Sequence, residues 1–220
     1  MKVITILNQK GGTGKTTIAT SVTARLSNRG YNVILIDADF TQESAMTWAE
    51  INEGRYFEVV VMKAAQIKNF LLRNEEVYDY VIIDCPPRAN EDTAKFVNVS
   101  HLVVIPVQPS PYDVWACKEL IEIIQQRKEL TRGLPDLPKD GLPVAAFVLS
   151  RATKGTRIIG ETADALHDVG FHILSNMTTQ YDVYKRAPIT GHTIFDAPEP
   201  QPRAEEQMIG ITDEILELLP

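Results

Sequence analysis

The 220-residue sequence predicts a doubly wound α/β fold: a mostly parallel sheet flanked by helices, in a single domain spanning 1–220. Three observations lead there. Short runs of Val, Ile and Leu recur along the chain without polar alternation, as expected of strands buried on both faces of a parallel sheet. Longer stretches of helical period lie between them, and strand alternating with helix builds a layered structure with right-handed crossovers. The length, with 44% apolar and 23% charged residues, suits one sizeable core.

In chain order, strands are expected at residues 3–7, 33–36, 57–61, 81–83, 102–107, 144–149 and 172–174. Helices are expected at 16–29, 44–53, 64–75, 112–132 and 160–169, and ligands should sit at the carboxyl ends of the strands between them. The Pro- and Gly-rich stretch 133–143 reads as a surface loop, and PEPQP at 198–202 separates the body from a final helix at 204–219. That helix places Met208, Ile211, Ile215 and Leu218 on one face, which implies packing on the body. Its polar face is acidic, with Glu205, Glu206, Asp213, Glu214 and Glu217. Trp48, Tyr78 and Trp115 are expected as core or helix-packing aromatics.

A formal charge of −7 argues against nucleic-acid binding over the whole surface and leaves room for a local basic patch. Two cysteines, Cys85 and Cys117, without a CxxC pair or a His/Cys cluster imply neither a disulfide framework nor structural zinc, which suits a reducing cytosol. The apolar run at 3–7 is far shorter than a signal-peptide core, and nowhere do 18 apolar residues run together. A cytoplasmic location follows, neither exported nor membrane-spanning.

The strongest local signal is NQKGGTGKTT at residues 8–17, between an apolar strand and a helix starting near Lys15. Gly11, Gly12 and Gly14 let the backbone curl so that successive N–H groups, including those of Thr13, Thr16 and Thr17, face phosphate oxygens in front of the helix dipole. Lys15 supplies charge to the β and γ phosphates, and the Thr16 hydroxyl can ligate Mg²⁺. The usual loop has glycine six residues before this lysine, where this chain has Gln9. Hydrolysis also needs a metal anchor and a group that orients water. YVIID ends at Asp84, and VILIDAD ends with Asp37 and Asp39; each carboxylate also fits a helix cap or turn former.

Together KGGTGKTT, DAD and DCPP resemble the deviant Walker-A P-loop ATPases of the ParA/MinD family, and QPSPYDVW (108–115) and TTQYDVYKRAP (178–188) resemble segments of its small ParA members. The resemblance implies ATP and Mg²⁺ as ligands and a homodimer formed with ATP. It makes Lys10 a lysine that reaches the phosphates held by the other subunit, with the logic of an arginine finger. Gln9 then needs no glycine's freedom, because the turn begins at Gly11. Asp39 is implied to position the attacking water, while Asp37 and Asp84 support the metal. After Asp39 the chain reads Phe-Thr-Gln in place of the family's Pro-Gln. Asp84-Cys85-Pro86-Pro87 resembles the second switch, stiffened by two prolines, with Cys85 a small neighbour of the metal site.

Family members bind DNA without sequence preference. Arg151, Lys154 and Arg157 recur every three residues, Lys185 and Arg186 lie in the segment that resembles the DNA-contacting region, and Arg203 joins them. Nucleoid association and a ParB-like or cargo adaptor are implied with it. The acidic last helix lacks the basic face of a membrane anchor, and no helix-turn-helix precedes the first strand. Adenine is expected at 178–180 and the turn at 188–191. The expected activity is a ParA-type ATPase that partitions plasmid or chromosome DNA, or positions a carboxysome or chemoreceptor cluster. The alternatives are a MinD-like spatial regulator and a metabolic P-loop enzyme; an iron-sulfur reductase relative lacks its bridging cysteines here.

Overall fold

The computed structural model describes residues 1–88 and 91–220. Among them, seven strands form one parallel sheet: β1 (Lys2–Ile6), β2 (Val33–Asp37), β3 (Glu58–Val61), β4 (Tyr80–Asp84), β5 (Leu102–Val107), β6 (Val144–Leu149) and β7 (His172–Ile173). Their spatial order is β3-β2-β4-β1-β5-β6-β7, with every pair parallel. The helices are α1 (Lys15–Asn28), α2 (Ser44–Ile51), α3 (Ala64–Arg73), α4 (Thr93–Val99), α5 (Pro111–Ala116), α6 (Lys118–Thr131), α7 (Arg157–His167), α8 (Val183–Arg186) and α9 (Pro202–Leu218), with a 3-10 turn at Ala187–Thr190.

The continuous apolar runs are explained by the two cores they feed. Ile4, Ile6, Leu35, Ile82 and Val104 point to the side covered by α1, α2 and α9. Their neighbours Val3, Ile34, Ile36, Val81, Ile83 and Val103 point to the side covered by α3, α4, α6 and α7. Every residue of β2 and β5 is buried, whereas the edge strand β3 has no buried residue. Pro106 is tolerated in β5 because β1 has already ended beside it; its carbonyl accepts from Asn8 Nδ2 at 2.7 Å.

The helices depart from expectation in definable ways. The stretch 112–132 is two helices meeting at Cys117, and it swings Tyr112 and Trp115 outward, 74% and 68% exposed. Trp115 is therefore no core residue: it meets Tyr112 edge-on, with ring centres 5.4 Å apart. Trp48 is buried against Tyr56 and Phe57, and Tyr78 stacks on Phe70, as expected. The unexpected α4 and α8 are under two turns long, too short to show a period. Helix α7 starts at Arg157 rather than 160, and α9 at Pro202, a residue suited to a first helical turn because its missing N–H has no partner there.

Candidate nucleotide site

Strand order reverses about β1: β4, β2 and β3 lie to one side, β5, β6 and β7 to the other. The loop leaving β1 therefore opens where the crossovers diverge and no connection covers it. Asn8 braces its start: Oδ1 accepts from the Lys10 N–H at 2.9 Å while Nδ2 holds β5. The turn begins at Gly11, and left-handed backbone occurs inside it at Gly12 (φ 76°) and again at Gly14 (φ 91°). Gln9 is free of that requirement and instead donates its amide to Glu119 at 3.0 Å.

The loop is tied from two sides by residues that sequence reading missed. Ser150 Oγ, just past β6, donates to the Thr13 carbonyl at 2.5 Å, and Gln108 Nε2, just past β5, donates to the Gly12 carbonyl at 2.9 Å. Neither pair has a local signature, since the partners lie 137 and 96 positions apart. Their one legible trait is position at a strand's carboxyl end. With the carbonyls turned outward to these donors, the loop's N–H groups are available to an anion.

Lys15 is 7% exposed, and Nζ donates to the Lys10 carbonyl at 3.1 Å. Burial lowers its pKa, while Asp84 and Asp39 oppose the fall. A cation held this way, with no ion-pair partner among the described residues, is ready for phosphate. Gly11, Gly12, Gly14, Lys15, Thr16 and Thr17 line a cavity of about 240 Å³, closed by Asp39, Gln42 and Ser44 on one side and by Cys85, Pro87 and Arg151 on others.

The three aspartates divide their work. Asp37 is fully buried and accepts from the Asp39 N–H at 3.0 Å and from the Ala45 and Met46 N–H groups at 2.9 and 3.1 Å. It therefore folds the turn carrying Asp39 and caps α2, the cap reading of this residue; burial raises its pKa and the backbone donors oppose this. Asp39 Oδ1 takes the Thr41 hydroxyl at 2.6 Å, so the Phe40-Thr41-Gln42 stretch closes as a compact turn despite the missing proline. Asp84 is pushed up to about 7 by burial, with the Thr16 hydroxyl opposing the rise, and its Oδ1 has no partner among the described residues. An orphaned buried carboxylate oxygen beside Thr16 fits a divalent cation. Burial holds the Cys85 thiol well above its usual range.

Lys10 is not a freely solvated charge. Nζ meets Asp113 Oδ2 of α5 at 2.6 Å; Asp113 is nearly fully buried, and its Oδ1 has no partner among the described residues. The basic residues gather around Tyr181, except Arg157. Lys185 is open to solvent and 3.9 Å from Asp182, and Arg186 pairs with Glu199 at 3.3 Å. Arg157 opens α7, on the opposite layer from α8. Lys154 and Arg203 both stand beside Tyr181. A second cavity of about 170 Å³, lined by Thr178, Thr179, Gln180 and Tyr181, adjoins the first through Gly14, Thr17 and Arg151. The other expected adenine segment, 188–191, borders hollows beyond Tyr184, one of which, lined by Pro188, shares Thr16, Thr17 and Ser44 with the phosphate-loop cavity.

A family model described as the CobQ/CobB/MinD/ParA nucleotide binding domain matches residues 4–194. "Maintenance of carboxysome distribution protein A" of Halothiobacillus neapolitanus is 27% identical over 218 residues, covering 97% of this chain and 95% of the relative. Among solved structures, apo McdA of Cyanothece superposes with a TM-score of 0.77 at 20% identity, covering 98% of this chain and 99% of that one. The septum site-determining protein MinD complexed with Mg-ADP, from Pyrococcus horikoshii, gives 0.76 at 17% identity, covering 99% and 96%. These two carry the fold alone. The match over residues 4–194 spans the glycine loop, all three aspartates and both cavities, and by it the chain belongs to the ParA/MinD family of nucleotide-binding proteins.

Proposed function

We propose that this protein is a ParA-type ATPase whose ATP-bound dimer holds DNA without sequence preference and, with a stimulating adaptor, positions a cargo. The observation that carries the reading is the cavity lined by buried Lys15, the glycine loop, Thr16 and Asp39, with Asp84 buried next to Thr16 and its Oδ1 without a partner among the described residues. Lys15 and the loop N–H groups bind and orient the phosphates. Thr16 and Asp84 would hold Mg²⁺, which when bound offsets phosphate charge. Asp37 keeps the Asp39 turn in place, and Asp39, at the cavity wall, holds the attacking water and accepts its proton. Lys10, 41% exposed, completes the charge on a second copy's phosphates. The near-full-length likeness to a carboxysome-distribution protein supports a large intracellular assembly as cargo alongside plasmid or chromosomal DNA.

ATP turnover and sedimentation of wild type, Lys10→Ala and Asp39→Ala, with and without DNA, test this. Asp39→Ala should accumulate an ATP-bound dimer with turnover down at least about 100-fold, the scale for losing a group that acts on the transition state. Lys10→Ala should lose both dimer and turnover. Unchanged dimer and turnover in Lys10→Ala would overturn the mechanism, as would the absence of an ATP-bound dimer in Asp39→Ala.

A further inference from the structure

Arg151 belongs by sequence to a basic series with Lys154 and Arg157, and it has no acidic partner among the described residues. The fold gives it a different setting. It lines both the phosphate-loop cavity and the adjoining cavity of Thr178–Tyr181, and with Gly14 and Thr17 it forms their common border. Its backbone is left-handed at φ 53°, which is costly for an arginine. That conformation is over-determined. The Arg151 N–H donates to Thr178 Oγ1 at 3.1 Å, the Ala152 N–H to the Thr178 carbonyl at 2.9 Å, and Ser150 anchors the phosphate loop one residue before. Strain held in place on both sides, at a residue between two cavities, points to a ligand.

We propose that Arg151 is a nucleotide-binding residue, its guanidinium lying against the nucleoside half of the nucleotide where it leaves the phosphate loop. The guanidinium is planar and cationic and lies flat on an aromatic base face better than an ammonium does. The second cavity offers the polar groups a purine edge requires, from Thr178 and Gln180, and an apolar wall from Ile18 and Tyr184. The proposal rests on the nucleotide reading above and removes Arg151 from the DNA-contacting set.

Calorimetric titration of the full-length chain with ATP and with inorganic triphosphate tests it, in wild type, Arg151→Ala and Arg151→Gly. Glycine suits the left-handed backbone, so it removes the side chain without the strain. Both variants should bind ATP about tenfold more weakly, the order of one desolvated cation–π contact. Triphosphate affinity should change less than threefold. DNA retention at saturating ATP should match wild type. Unaltered ATP affinity in Arg151→Gly would overturn the assignment, and so would an equal loss for triphosphate, which would make Arg151 a phosphate ligand. Loss of DNA binding with ATP affinity intact would return it to the DNA surface. Failure of wild type to bind ATP would overturn the functional reading as well, which separates the two.

Discussion

Single residues in this site are set by who takes their lone pairs. Asp37 and Asp39 look alike in VILIDAD, yet Asp37 spends both oxygens on three backbone N–H groups. Removing its carboxylate leaves those buried donors unpaired, so Asp37→Ala should cost about 1–3 kcal/mol by urea denaturation. Turnover should fall too, as the Asp39 turn loosens. A stability equal to wild type would show that the carboxylate is not the cap. The Lys10–Asp113 pair raises a different issue: Asp113 is buried, and Lys10 is its one ion-pair partner among the described residues. Sending Lys10 to another subunit strands that carboxylate, and an uncompensated buried charge is expensive. The proposed dimer therefore has to re-partner Asp113 as well as place Lys10.

Elements are held by their end contacts as much as by their apolar faces. Helix α9 buries Met208, Ile211 and Ile215 against the sheet side that α1 covers, as its sequence period required. Its polar face, read as merely acidic, is put to use: Glu214 accepts from the Ser175 N–H at 2.6 Å, from the Asn176 N–H at 2.8 Å and from Asn176 Nδ2 at 2.6 Å. That clasp presses Asn176 onto Gly210, where an added Cβ would lie 2.5 Å from the Asn176 side chain. Glycine inside a helix normally loses about 0.5–1 kcal/mol against alanine. Here overpacking of about 1–3 kcal/mol outweighs that gain. Gly210→Ala should thus lower the melting temperature, whereas an exposed helical glycine such as Gly160, with open space around it, should raise it on the same change.

At the scale of the whole molecule, a net charge of −7 makes any DNA contact local. Lys185 is open to solvent, and Arg186 gives up part of its charge to Glu199. Lys154 and Arg203 stand near the same rim, around Tyr181. Lys185→Ala combined with Arg186→Ala should weaken binding to unrelated DNA sequences alike and reduce the slope of log affinity against log salt by about 1–2. Filter binding over a salt series reads both quantities, and an unchanged slope would remove these residues from the interface. Arg157, across the sheet, should contribute less.

Sequence alone determined the parallel sheet, the glycine loop and the aspartates at strand ends, because all three are short-range patterns: apolar runs, φ > 0 glycines and residues that follow a strand. It also identified Lys10 as unusual, through Gln9 and the paired glycines. It did not reveal the Asp113 partner of Lys10, the Ser150 and Gln108 ties on the loop, the outward turn of Trp115 or the place of Arg151 between two cavities. Apart from the turn of Trp115, which follows from the helix break at Cys117, each of those joins segments that lie far apart in the chain. Only the order β3-β2-β4-β1-β5-β6-β7 brings the ends of β5 and β6 beside the loop after β1, so what those residues do was decided by the packing of the sheet.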